Sequence, residues 1–345
     1  MNFDMKKWIQ DMIRADVKKP LPVLSFPGIQ ITGNTVEEIV GSGKLQADCM
    51  EAIAKKFDMA AVLSLMDLSV EAEAFGSPVR YSAEEVPTVT APIIHDEDEA
   101  EALRIPEVGE GRTGVCLKGI QEIAGRVKDR PILAGMIGPY SLAGRLLDMT
   151  EIMILCYEDP ELVETVLEKV TQFLCAYARA FKAAGADGIV LAEPAAGLLG
   201  PGLFRDFSVP YVKQICEAAE EEGLILLYHN CGTVEPLLAD IAGIPAAGYS
   251  FGNAVNMETV LKAMPEDRIV IGNIDPVGVL RNGSPDTIRR ETQELMQKCC
   301  GYPNFIIASG CDIPPMTPIE NLQAFFDAAE EFYQMGKTPA SIGGE

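Results

Sequence analysis

Imidazoles and cations are what this chain has least of. Its 345 residues hold two histidines, His95 and His229, and one tryptophan. Any imidazole chemistry therefore rests on one of two positions. Lysine and arginine number 28 against 51 acidic residues, a net charge of -23. With no basic patch, nucleic acid and an anionic membrane surface are excluded as partners. Long apolar runs are missing as well. The longest, MAAVLSLM (59–66), is far short of the roughly 20 residues of a membrane-spanning helix. No Gly-x-Gly-x-x-Gly follows a predicted strand, so the usual signal for a phosphate loop is absent. Cysteines number nine, odd and scattered, which does not make a disulfide framework in so long a chain. Reduced thiols in a cytoplasmic protein are the expectation.

What is there is an alternation. Short apolar runs rich in β-formers fall at 21–26, 59–65, 131–137, 188–193, 224–230, 247–252, 268–274 and 304–310. Amphipathic stretches lie between them. Residues 45–57 and 161–185 have helical periodicity, the second ending at Gly185, which suits a C-cap. A helix over 204–223 is expected to kink at Pro210. Helices over 284–299 and 317–335 each begin with a hydroxyl residue followed by proline, an N-cap pattern. Eight strand–helix units predict a closed (β/α)8 barrel, one domain over 1–345. An open doubly wound sheet is the alternative fold.

Three segments stand outside the alternation. Trp8, Ile9, Met12, Ile13 and Val17 predict an amphipathic helix within 1–20, not a signal peptide. Residues 66–110 are an excursion after the second strand, with VRYS (79–82) and TVTAPII (88–94) as a hairpin near the barrel mouth. Residues 337–345 form a C-terminal tail.

In such barrels, chemistry gathers at the C-terminal ends of the strands. The fourth predicted strand ends in LAEPAAG with Glu193, and the fifth in YHNCG with His229 and Cys231. The seventh ends in GNIDP with Asn273 and Asp275, and the eighth in ASGCDIPP with Cys311 and Asp312. Closure puts the fifth and eighth strands on one rim, where His229, Cys231 and Cys311 can meet. One imidazole and two thiolates suit tetrahedral Zn²⁺ with one position open. The competing reading is a buried histidine bonded to backbone beside two packing cysteines.

The remaining candidates carry two readings each. Glu193 is a fourth metal ligand, a substrate-orienting group or a plain loop carboxylate. Asp275 and Asp312 are functional, or cap their own turns. Glu71 and Glu73, in SVEAEAFG, share one side of an extended segment and are expected on a solvated face. His95 is expected at the surface. The vicinal Cys299 and Cys300 are expected to be structural.

The chain resembles the uroporphyrinogen decarboxylase superfamily over nearly its whole length, and within it the cobamide-dependent methyltransferases. The matching blocks are GMIGPYSLAGRLL (135–147), YHNCG (228–232), GNIDP (272–276) and ASGCDIPPMTPIENLQAF (308–325). The resemblance implies that His229, Cys231 and Cys311 bind zinc. From their places at the strand ends, Glu193 and Asp312 are the catalytic candidates, and Asn273, Asp275 and Arg145 the cofactor-binding candidates. The resemblance further implies a methylcorrinoid (cobamide) carried by a partner corrinoid protein and a small-molecule thiol acceptor such as coenzyme M. A zinc-held thiolate would attack the cobalt-bound methyl and leave Co(I). Arg145 is either an anchor for the acceptor's sulfonate or an ordinary surface-helix arginine.

The decarboxylase branch predicts a cationic cradle for a polycarboxylate. Its arginine-rich motif should fall near SFPGIQITG (25–33), which has no Arg or Lys. A third reading is a barrel that binds a corrinoid protein without turnover.

Overall fold

The computed structural model describes residues 3–336. The predicted tail, 337–345, lies outside the described residues. Seven parallel strands form one curled sheet: β1 (Val62–Leu63), β4 (Ile132–Ile137), β5 (Gly188–Ala192), β6 (Ile225–Asn230), β7 (Gly248–Phe251), β8 (Ile269–Ile274) and β9 (Phe305–Ser309). Two further strands, β2 (Val79–Arg80) and β3 (Thr88–Val89), form an antiparallel hairpin. Each long strand pairs with the next, and helices fill the connections.

Alternation along the strands divides two cores. Leu63, Leu133, Val190, Leu227, Ile271 and Ile306 point inward and pack together. Their neighbours, such as Ile189, Leu191, Tyr228 and Ile307, point out to the helices. Each fully buried aliphatic side chain contributes roughly 1.5–3 kcal/mol, so a one-residue slip, which inverts every side chain, is strongly disfavoured. The helix Met5–Arg14 closes the bottom of the ring, with Met5, Ile9 and Met12 in the inner cluster. Val17 lies past this helix and is exposed, against expectation.

The first predicted strand, 21–26, is the main departure from the expected barrel. Its place is filled by an extended segment that bridges the two sheet edges. The Leu21 amide donates to Ile307 O (3.0 Å), and the Ala60 amide donates to Pro20 O (2.9 Å). Leu21 and Val23 still point into the inner cluster. Pro20 and Pro22 have no N–H to donate, so no regular ladder forms. The chain then turns into short helical stretches, Phe26–Gly28 and Ile29–Thr32.

Two helix expectations also change. Residues 204–223 form two helices, Pro201–Phe207 and Val209–Glu221, and Pro210 sits in the first turn of the second. Ser284 caps Pro285–Cys299 as expected. Thr317 does not cap Ile319–Gln334, and its buried hydroxyl has no partner among the described residues.

The 66–110 excursion holds the hairpin and the helices Val70–Phe75 and Glu97–Ala102. Glu84, Glu85 and Val86, in the hairpin turn, face Arg281, Asp312 and Pro314 across a cleft of about 300 Å³. Among the described residues no helix is long and apolar enough to cross a membrane.

Candidate metal centre

Strand parity brings the three soft donors together. In β6, Ile225 and Leu227 point inward, so His229 does too, and Cys231 follows one step beyond the strand end. In β9, Ile306 and Ala308 point inward, and Gly310 and Cys311 continue from the strand. The ligand atoms of His229, Cys231 and Cys311 all lie within 4.8 Å of one another. Zinc–sulfur and zinc–nitrogen bonds of about 2.3 and 2.0 Å give tetrahedral edges of about 3.5–3.8 Å, so a small rotamer adjustment suffices. His229 is 3% exposed, and both cysteines are partly open to the mouth.

The two thiols behave as one acid. Cys231 is pulled well below the ordinary thiol range, first by the hydrogen bond from Cys311 and then by His229. Cys311 is pushed up by that same bond and by burial. One negative charge is therefore readily held between the sulfurs, as a cation site requires. On its far side, His229 Nδ1 lies 3.0 Å from Ser250 Oγ.

Glu193 is not brought to this cluster. Val190 and Ala192 point inward, so Glu193 has the outward parity. Its carboxylate accepts the Tyr140 and Ser141 amides (2.8 and 2.9 Å) at the start of the helix Pro139–Leu147. This is a capping anion at a helix N-terminus. Burial pushes its pKa up to about 7. Gly138 makes room for it: a Cβ there would lie 2.4 Å from Glu193 Oε2. The metal-ligand and substrate-orienting readings of Glu193 give way to this structural one.

Asn273 and Asp275 are likewise taken up by backbone. Asn273 Nδ2 donates to Gly252 O (2.8 Å) and Val255 O (2.9 Å). Asp275 Oδ1 accepts the Val277 and Gly278 amides, capping the turn Pro276–Arg281. Asp312 differs. It lines the cleft under the hairpin turn, and its buried Oδ1 has no partner among the described residues. Burial, then Asp67, push its carboxyl up. Arg145 is half-buried and makes no hydrogen bond or ion pair among the described residues. Burial lowers its pKa, while nearby Asp67 and Glu71 oppose the change.

A buried network beside the mouth escaped the sequence reading. Arg112, 7% exposed, binds Asp67 and Glu73, and donates to Ser69 Oγ (2.7 Å). Its guanidinium lies over the Tyr81 ring, 5.1 Å from the centroid, and Tyr81 donates to Glu73. Arg112 thus pins the hairpin to the barrel. Glu71 and Glu73 are not a solvated face. Their segment is the helix Val70–Phe75, and Glu71 is 2% exposed. Glu71 Oε1 accepts the Ile137 amide (3.2 Å), Oε2 has no partner among the described residues, and burial raises the carboxyl to about 7. Only the pairing of Asp67 with Arg112, 45 positions apart, would have revealed this, and it has no local signature. His95 is exposed as expected, and Cys299 is buried in the core.

A curled (β/α) sheet with an N/S₂ donor set at its mouth defines the class. The uroporphyrinogen decarboxylase (URO-D) family model matches residues 24–332, and the chain belongs to that family. It is 29% identical over 326 residues to the methylcobamide:CoM methyltransferase MtbA of Methanosarcina acetivorans, covering 90% of this chain and 94% of that one. It is 30% identical over 271 residues to the methylcobamide:CoM methyltransferase MtaA of Methanosarcina barkeri, covering 77% and 78%. A solved methyltransferase from Methanosarcina mazei superposes with a TM-score of 0.86 at 27% identity, covering 96% of this chain and all of that one. On these relatives the protein is an enzyme, a methyltransferase.

Proposed function

We propose that the protein moves a methyl group between a corrinoid, carried on a partner protein, and a small thiol such as coenzyme M, using zinc held by His229, Cys231 and Cys311. The convergence of these three donor atoms within 4.8 Å carries the reading. The relatives named as methylcobamide:CoM methyltransferases support the substrates. The donor set fits zinc: it is soft, three-membered and free of carboxylate, with a fourth position open to the mouth. Bound there, the ion would supply the Lewis acidity that keeps a substrate thiol ionised near neutral pH.

The chain's residues do the rest. His229 is walled in by the inner core, which excludes water from one side of the site. Arg145, half-buried and without a partner among the described residues, offers a guanidinium to an acidic group on the acceptor. Asp312, next to Cys311, offers an unpartnered oxygen to what enters the cleft. Asn273 and Asp275 fix the turns of the rim that the corrinoid would meet. In transfer to the thiol, sulfur forms the new bond to the methyl carbon, and the Co–C electron pair stays on the cobalt.

The partner has a face to meet. Ile31, Tyr81, Leu198, Val277 and Met316 are exposed large apolar residues; Tyr81 and Met316 lie on loops, and Ile31, Leu198 and Val277 on short helical turns, at the C-terminal rim. Such residues suit the core of a protein interface. All nine cysteines are free, as a reducing cytoplasmic compartment would keep them. The exposed carboxylates Glu84 and Glu85 at the cleft oppose a polycarboxylate substrate and the decarboxylase reading.

The test is demethylation of methylcobalamin by coenzyme M, followed by the cobalt absorption spectrum. The zinc-loaded protein should accelerate it and form the methyl thioether. No acceleration with coenzyme M or any other small thiol would contradict the proposal.

A further inference from the structure

The end of β7, Ser250-Phe251-Gly252-Asn253, supplies no metal donor, yet it touches His229, Cys231 and the residue that precedes Cys311. Ser250 and His229 are direct partners in the β6–β7 ladder and point to the same inner face. Ser250 is 3% exposed, and its Oγ lies 3.0 Å from His229 Nδ1. Two residues on, Gly252 lies against Cys231: a Cβ at Gly252 would stand 2.6 Å from Cys231 Cα. The Gly252 amide also donates to Asn230 O (3.2 Å), between His229 and Cys231. Asn253 lies against Gly310, which precedes Cys311: a Cβ at Gly310 would stand 2.7 Å from the Asn253 nitrogen. Asn273 holds this turn from the other side by donating to Gly252 O and Val255 O.

We infer that Ser250 is a positioning residue for the metal centre: its hydroxyl accepts the Nδ1 proton of His229 and leaves Nε2 to face Cys231 and Cys311. A neutral imidazole carries one N–H, and the hydrogen bond made by one nitrogen sets which nitrogen is free as a donor atom. Without the Ser250 oxygen, the ring can exchange tautomers or rotate in its pocket. The adjoining turn sets the backbone of both cysteines by close glycine contact, so the imidazole and the sulfurs are aligned from one loop. This role rests on the metal reading of His229, Cys231 and Cys311.

The test compares wild type, Ser250→Ala and Ser250→Thr. Zinc affinity is measured by chelator competition, the geometry by the absorption of the Co²⁺-loaded protein, and the fold by thermal unfolding of the metal-free form. Ser250→Ala should weaken zinc binding about 10–100-fold and alter the Co²⁺ bands, with metal-free unfolding unchanged. Ser250→Thr, which keeps the hydroxyl, should recover most of the affinity. Wild-type affinity in Ser250→Ala would overturn the role of Ser250 while leaving the metal site standing. So would a loss that Ser250→Thr does not repair, or one matched by a fall in metal-free stability. Failure of wild type to bind zinc or Co²⁺ would overturn the metal reading itself, and this inference with it.

Discussion

Cys231 and Cys311 stand 80 positions apart in sequence, yet their sulfurs lie within 4.8 Å of each other at the mouth of the barrel. Neither has a meaning alone. Together with His229 they form a soft donor set that the strands and helices from β6 to β9 have carried to one place. The chemistry proposed for the protein depends on that convergence more than on any single residue.

Arg145 should govern the charge of the acceptor. Its guanidinium has no partner among the described residues, so an anionic thiol gains from it and a neutral thiol does not. Replacing Arg145 by Ala should raise KM for coenzyme M about 10–100-fold, the effect of one lost charge-assisted contact. KM for 2-mercaptoethanol should change little. Steady-state assays with both thiols check this, and equal changes for the two would reject the anchor.

Arg112 should matter for stability. Its removal leaves Asp67 and Glu73 uncompensated beside the barrel wall. Breaking such a pair by truncating one partner costs about 3–5 kcal/mol. Arg112→Ala should therefore unfold at distinctly lower urea concentration than wild type. Arg112→Lys should recover only part of the loss, because one ammonium cannot span Asp67, Ser69 and Glu73.

Glu71 should make stability depend on pH. Burial raises its carboxyl from the ordinary 4.5 to about 7 in the folded chain. Its contribution is full below pH 4.5 and is lost as pH rises through 7. The whole effect is at most of order 3 kcal/mol. Glu71→Gln cannot ionise, so it should gain stability relative to wild type between pH 5 and pH 8. Urea denaturation at the two pH values measures the difference. An unchanged difference would place the Glu71 titration outside this range.

Much of this was legible in the sequence because the inner and outer faces of a strand alternate. Ile225 and Leu227 already put His229 inside, and the punctuation after each apolar run marked the rim. The same alternation, applied to Val190 and Ala192, would have turned Glu193 outward to its helix cap. The first strand was misplaced because its apolar pattern is sound while Pro20 and Pro22 remove its hydrogen-bond donors. Glu71 and Glu73 were misjudged because a six-residue helix was taken for an extended segment. The Arg112 network could not be seen, since its members meet only through tertiary packing.

The most direct measurement is the metal content of tag-free protein by mass spectrometry, for wild type and Cys311→Ser. The account predicts about one zinc per chain in wild type and little in the variant, because a site with three protein donors loses most of its affinity with one. Wild type without zinc after reduction and reconstitution, or Cys311→Ser with full zinc, would contradict it.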